Sequence, residues 1–406
     1  MRGELSGNRA IPAGNLIFYP FMRTFQFAIF VTVFLSLYGS LNFYIYTWGA
    51  RLLPFSGRAR LWYTLIFIAL ALSFIAARLL ERNGLYRISF ALNWIGAFWI
   101  GAMVYFFITF LVFDLLRLLY LIWPHSHLPA LPGPAVLKKI GAWTSISAVC
   151  LVLAYGFING LFVRVRTINI TLPKKENGPD SLNIAMASDI HLGAIVGKRR
   201  FGRIVQKINA LNPDIILLPG DILDEDLAPV VHQNLGEGLK SLRAPLGVFA
   251  CTGNHEYIGG IDNAVKYLGE HGVRLLRDEV ILVNGAFWLA GREDRSIAQF
   301  SGRKRKTLPE ILSAVDRRHP LILMDHQPFK LQDAADNDVD LQLSGHTHHG
   351  QLWPVNLITG RIYEADYGYR EKGSTHYYVS SGAGTWGPPL RVATSSEIVN
   401  IRLYFR

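Results

Sequence analysis

Five short segments carry side chains able to bind metal ions or move protons: Asp189-Ile-His191, Gly220-Asp221, Gly253-Asn-His-Glu256, Asp325-His326 and Gly345-His-Thr-His-His349. Each follows an apolar run that reads as a strand, and loops at strand ends gather function. Imidazole nitrogen and carboxylate oxygen are donors that divalent transition metals take at neutral pH. Asp189 and His191 alternate along the chain, as do His346 and His348, so on an extended segment each pair would point to one side. Two such pairs, one Asp able to bridge, one amide oxygen and one further His give two ions full ligand sets. Glycines 220, 253 and 345 would allow the tight turns that bring these groups inward. Two ions roughly 3.5–4 Å apart would lower the pKa of a shared water enough to supply hydroxide near neutral pH. There is no Gly-x-Ser-x-Gly turn and no Walker-type loop, so neither a serine acyl-enzyme nor P-loop ATP hydrolysis is expected.

The elements that must position these groups begin after Arg166. Short β-branched runs predict strands at Leu182–Ala187, Asp214–Leu218, Gly247–Thr252, Val280–Asn284, Phe287–Ala290, Leu321–Met324, Val339–Ser344, His376–Ser380 and Ile398–Tyr404. Helices are expected at Arg200–Leu211, Ile261–His271 and Leu308–Val315. Helices between early strands imply βαβ crossovers and a layered α/β domain.

The first part of the chain is of another kind. Mean hydropathy is +0.24 over 406 residues, 50% hydrophobic and 17% charged. Four apolar runs, about Thr24–Trp48, Leu61–Ala77, Ile88–Trp123 and Gly141–Val163, suit spans of about 20 residues. Tyr44, Tyr46, Trp48, Trp62 and Tyr63 sit at span ends, where amphipathic rings favour the interface. The first run is too long and starts too late for a cleavable signal peptide. Asp114 and Arg117, three apart, form either an interfacial pair or a functional pair in lipid. His125 and His127 fall in a Pro-rich loop without acidic neighbours and read as loop residues. The organisation expected is a tail (1–23), a transmembrane domain (24–164) and a catalytic domain (165–406).

Through Arg164 the acids are Glu4, Glu81 and Asp114 against thirteen Arg and Lys, while the remainder is nearly neutral. Positive charge beside apolar spans points to lipid head groups rather than nucleic acid. Ten cations flank the side that would hold the catalytic domain and six flank the other. That favours a cytoplasmic domain on a cell (inner) membrane. Cys150 and Cys251 form neither a disulfide framework nor a cysteine metal cluster. The run Arg303-Lys-Arg-Lys306 reads as a solvated loop leading a helix, with acidic lipid or nucleic acid as the other reading.

In order and type, these motifs over Ile184–Thr385 resemble the calcineurin-like metallophosphoesterase superfamily, whose pattern is D-x-H, G-D, G-N-H-D/E, H and G-H-x-H. With the spans, the chain resembles its transmembrane branch, similar in the catalytic domain to UDP-2,3-diacylglucosamine hydrolases of lipid A synthesis. The resemblance implies a β-sandwich flanked by helices. It implies Asp189, His191 and His348 on a first metal; Asn254, His326 and His346 on a second; and Asp221 bridging. It gives His255 a catalytic role facing the substrate. His349 stands where related sequences have Gly, so it would be strained if φ is positive there, or would reach the substrate. In the Gly-rich loop Ser380–Pro389, Trp386 would stack on a base or acyl chain and Arg391 would meet phosphate, unless the loop is only a packed connection. Two divalent ions (Mn, Fe, Zn or Co) are expected. The expected function is hydrolysis of a phosphoester or pyrophosphate in a membrane-associated, lipid-linked substrate. The alternatives are a soluble nucleotide or other phospholipid as substrate, or a receptor or transport protein with a non-catalytic phosphoesterase scaffold.

Overall fold

The computed structural model describes residues 14–53, 55–122, 132–173 and 179–406, and side chains 14–28, 30, 82 and 134 lie outside that description. The N-terminal tail to residue 13, the loop holding His125 and His127, and Lys174 and Lys175 therefore fall outside the described residues.

Four helices come first: α1 (Gly14–Leu52), α2 (Gly57–Arg82), α3 (Tyr86–Ile122) and α4 (Pro134–Leu161). In hydrocarbon a helix satisfies its backbone groups internally, which is why such apolar runs take this form. Among the described residues, three helices are long and apolar enough to cross a bilayer: Gly57–Glu81, Tyr86–Ile122 and Ala135–Leu161. The remaining expected run lies on α1, whose opening side chains are outside the described residues. Asp114 of α3 accepts from Tyr44 Oη at 2.5 Å and Trp48 Nε1 at 3.1 Å, so rings of α1 hold this acid.

Two six-stranded sheets follow. The first runs β1 (Val163–Leu172), β12 (Ser396–Phe405), β2 (Ser181–Met186), β3 (Ile215–Pro219), β4 (Val248–Cys251) and β5 (Arg274–Leu275). The second runs β10 (Gly368–Lys372), β11 (Thr375–Val379), β9 (Leu341–Ser344), β8 (Leu321–Met324), β7 (Phe287–Gly291) and β6 (Glu279–Val283). In the first sheet β12 pairs antiparallel to β2 and parallel to β1, and β2, β3, β4 and β5 are mutually parallel. Strand alternation sorts the side chains. Ile184, Met186, Ile215 and Leu217 face the core between the sheets, with Ile322, Met324 and Leu343 of the second sheet. Ala185, Ile216 and Leu218 face outward, under α5 (Lys198–Ala210) with its buried Phe201, Ile204 and Ile208. The result is a β-sandwich flanked by helices.

By its contacts the chain divides into two compact units, Met1–Ala71 with Met103–Ser147, and Leu72–Ala102 with Ala148–Arg406. The boundary expected at 164 thus falls inside the second unit. There, Trp94 and Ala97 of α3 join the core under α5. Arg78 of α2 pairs with Glu225 at 3.2 Å, and Tyr86 stacks on His232. Near the end of α4, Asn159 Nδ2 donates to the carbonyls of Arg391 and Thr394 at 2.9 and 2.7 Å. The α2–α3 turn and the α4–β1 junction therefore lie on the side of the α/β domain.

Candidate metal centre

The five loops leave the C-terminal ends of β2, β3, β4, β8 and β9. Three come from one sheet and two from the other, so they converge along one edge of the sandwich. The expectation that extended backbone aligns each pair is not met. Asp189, His191, Asp221, His346 and His348 have φ of 50°, 51°, 52°, 71° and 49°. Left-handed turns aim these side chains, at a cost of about 1–3 kcal/mol each; Asp and His tolerate such turns better than most residues. The glycines act partly for another reason than turning. Gly220 does have a φ of 82°. Gly253 has an ordinary φ of −110°, and its need is space, because a Cβ there would strike Asp221.

One side-chain group is Asp189, His191 and His348. His191 Nε2 and His348 Nε2 are 3.0 Å apart, and His348 Nε2 is 3.6 Å from Asp189 Oδ1. A second is Asp221, His326 and His346. Asn254 belongs to it, with Oδ1 at 3.2 Å from His326 Nε2 and 2.8 Å from His346 Nδ1. Asp221 Oδ2 stands between the two groups, 3.1 Å from His326 Nε2 and 3.9 Å from His191 Nε2. The donor set suits divalent ions. Atoms bound at about 2.0–2.2 Å to one ion sit at such mutual distances. Asp189 Oδ2 is buried without a hydrogen-bond partner, which protein interiors avoid unless something else binds there. Burial, then the charge of His326, takes the His346 imidazole down to about 3, and burial with His191 holds His348 well below its usual range. Both are thus in the neutral form that ligation needs. Burial would raise Asp221, but His326 and His255 hold it well below the usual carboxylate range.

Outer groups orient this set. His326 Nδ1 meets the Pro219 carbonyl at 2.9 Å. Glu256, buried, accepts from the backbone N–H groups of Asp221, Leu223 and Gly253 at 3.0, 2.9 and 2.8 Å, tying two loops together. Asp224 Oδ1 lies 3.6 Å from His191 Nδ1 and 3.4 Å from His255 Nδ1. His255 is buried, and its ring lies 5.8 Å from that of half-exposed Trp386. Burial alone would lower the His255 imidazole; the Asp221 and Asp224 carboxylates instead lift it to about 9.

Two expected substrate contacts need correction. Arg391 is fully buried and donates to the carbonyls of His348, Gly382 and Gly384 at 2.9, 3.3 and 2.8 Å. Its guanidinium ties loops together instead of opening on the cleft. His349 does have the positive φ, 48°. Its ring, however, pairs with Asp366 at 2.9 Å and stacks on Tyr367, which occupies it away from any substrate. Arg391→Met should remove three charge-assisted hydrogen bonds, while the carbonyls of His348, Gly382 and Gly384 keep Gln351 N, Glu397 N and Ser396 Oγ as donors. The loss is therefore that of the bonds themselves, about 1.5–3 kcal/mol each at most. We expect a lower melting temperature and reduced metal retention; unchanged melting and metal content would remove the role.

The calcineurin-like phosphoesterase family model matches residues 182–350. An uncharacterized metallophosphoesterase of Campylobacter jejuni is 30% identical over 392 residues, covering 93% of this chain and 98% of that protein. The chain belongs to the calcineurin-like metallophosphoesterase family. A second relative, an uncharacterized metallophosphoesterase of Aquifex aeolicus, is 34% identical over 252 residues, 62% of this chain and 95% of its own. A third, the zebrafish (Danio rerio) transmembrane protein with metallophosphoesterase domain, is 33% identical over 273 residues, 64% of this chain and 61% of its own. This metallophosphoesterase is thus a metal-dependent phosphoric-ester hydrolase, carried by a chain with membrane-length helices.

Sequence reasoning missed Asp224, although a carboxylate three residues after Asp221 in the same loop was a usable signal. It also missed Arg78, which lies 4.0 Å from Asp224 and for which no local pattern existed. Two residues of the basic run, Lys304 and Arg305, join Arg292, Arg295, Lys330 and Asp333 around a depression of about 270 Å³. From there Arg295 covers the Phe329 ring, Phe329 meets Tyr363, and Tyr363 sits edge-on to His346.

Proposed function

We propose that this metallophosphoesterase uses two divalent ions to hydrolyse a phosphoester or pyrophosphate in a membrane-resident substrate, with a UDP-diacylglucosamine-type lipid pyrophosphate as the leading candidate. The observation that carries the reading is the pair of side-chain groups meeting at Asp221 Oδ2. Asp189, His191 and His348 would hold one ion, and Asn254, His326 and His346 the other, with Asp221 shared. When bound, such ions lower the pKa of an attacking water and offset charge on phosphoryl oxygens; Mn, Fe, Zn or Co suits the donors.

The chain's own residues do the remaining work. With Asp224 Oδ1 3.4 Å from Nδ1, His255 would present Nε2 as the donor. A protonated His255 can give its proton to the leaving oxygen. The backbone N–H of His255 donates to Asp221 Oδ1 at 2.9 Å, which ties the donor's position to the shared ligand. Trp386 at the rim offers a face for a base or an acyl chain.

A phosphorus-NMR screen of purified protein in detergent, supplied with each metal, tests the substrate. UDP-diacylglucosamine should lose its pyrophosphate signals and yield two monoesters. Conversion of soluble nucleotides alone would remove the lipid-linked reading. We place the protein in the inner membrane of a bacterial cell with the domain in the cytoplasm, where a nucleotide-activated lipid is made. A fluorescent protein fused after Arg406 should therefore be bright and an alkaline phosphatase fusion silent. The reverse pattern would put the domain outside.

A further inference from the structure

The helix Val355–Ile362 wears its polarity inside out. Toward the protein it turns Thr359, whose Oγ1 donates to Asp366 Oδ2 at 2.8 Å, and half-buried Asn356. Toward the outside it turns Leu357, Ile358 and Ile362, 54%, 56% and 59% exposed, with Trp353 just before it 45% exposed. None of its residues is buried. A helix covering a soluble domain has the opposite arrangement, apolar side in and polar side out. From Leu352 to Tyr363 the one charged residue is Arg361, exposed beside Ile362.

The position of this helix indicates what covers it. Trp353 N donates to Val392 O at 3.1 Å, and Leu352 forms a β-bridge with Val392. Val392 in turn lies against α4: a Cβ on Gly156 would come 2.8 Å from Val392 Cγ2. Gly156 precedes Leu161, the end of the span, by five residues, or roughly 8 Å at 1.5 Å per residue. That is the depth of the boundary between head groups and acyl chains, where interfacial helices bury their apolar side. Trp at the edge of such a helix, and Arg able to reach lipid phosphates, are the residues this boundary favours.

We propose that the Val355–Ile362 helix lies in the lipid–water interface with Leu357, Ile358 and Ile362 in the bilayer, holding the rim of the metal centre against the membrane surface. The rim is part of the same structure. Asp366, which anchors Thr359, also binds His349, and Tyr363 at the end of the helix lies edge-on to His346. A substrate phosphate at the head-group level would then enter the cleft without its lipid leaving the bilayer. The proposal is independent of which phosphoester is cut.

The test uses the full chain, one copy per nanodisc of phosphatidylcholine and phosphatidylglycerol. Cys150, exposed on α4, is replaced by Ser, and Cys251 is buried. A nitroxide is attached at Ile358→Cys, and in a second sample at Lys266→Cys, whose side chain is 76% exposed on the domain. Collision with molecular oxygen, which concentrates in lipid, is compared with collision with a water-soluble nickel chelate. Oxygen should dominate at 358 and the chelate at 266. If the chelate reaches 358 as readily as 266, the helix faces water and the proposal fails. If neither reaches 358, the face packs on protein, and the proposal fails equally.

Discussion

Asp221→Asn should empty both metal sites at once. The carboxylate stands between the two groups, with Oδ2 3.1 Å from His326 Nε2 and 3.9 Å from His191 Nε2. An amide keeps the shape but loses the charge and one oxygen donor. Changing an outer group around a metal typically costs about 10–100-fold in affinity or activity. Loss of a shared ligand should exceed this, so turnover should fall by more than about a hundredfold. Elemental analysis should find both ions depleted. Full double occupancy with normal turnover would remove the shared-ligand assignment. Depletion of one ion alone would make Asp221 a ligand of that site only.

His255→Ala should behave differently, retaining metal while losing on the order of tenfold to a thousandfold in rate. Its Nδ1 lies 3.4 Å from Asp224 Oδ1 and its ring borders that of Trp386. At saturating metal, Asp224→Asn should reproduce part of that loss and add little to the His255→Ala variant, because neighbouring groups acting as a unit are not additive. Its second contact, 3.6 Å from His191 Nδ1, should show separately as weaker metal retention. If metal content collapses in His255→Ala, the imidazole is a ligand. If the two losses multiply, Asp224 acts on something other than His255.

Much of this site was legible because each motif carries its chemistry within a few residues of a strand, and the apolar run marks the strand. Asp189, His191, Asp221, Asn254, His326, His346 and His348 come together as their types suggested. The route differs: left-handed backbone does what strand alternation was expected to do, and that is invisible without coordinates. His349 and Arg391 show a related limit. Proximity to a motif does not tell which way a side chain turns, and both turn away from the cleft. Of the strands, β1 was hidden because Val163–Leu172 alternates with Arg and Asn directly after a span. The polar edge strand β10 has no apolar run to reveal it. Arg78 and Asp224 meet across a large sequence separation, and only the tertiary fold brings them close.

The place of β12 has a consequence for how the enzyme comes into being. Ser396–Phe405 lies between β1 and β2, and among the described residues β1 has no other strand beside it. A chain is made and folds from its N-terminus, so the helices enter the bilayer while the first sheet still lacks its second strand. The loop Leu390–Thr394, which rests on α4, likewise follows all five site loops in the chain. Every one of those loops is therefore translated before the strand that joins β1 to β2. A truncation before Ser396 would keep all five loops and remove the strand that links β1 to the rest of its sheet.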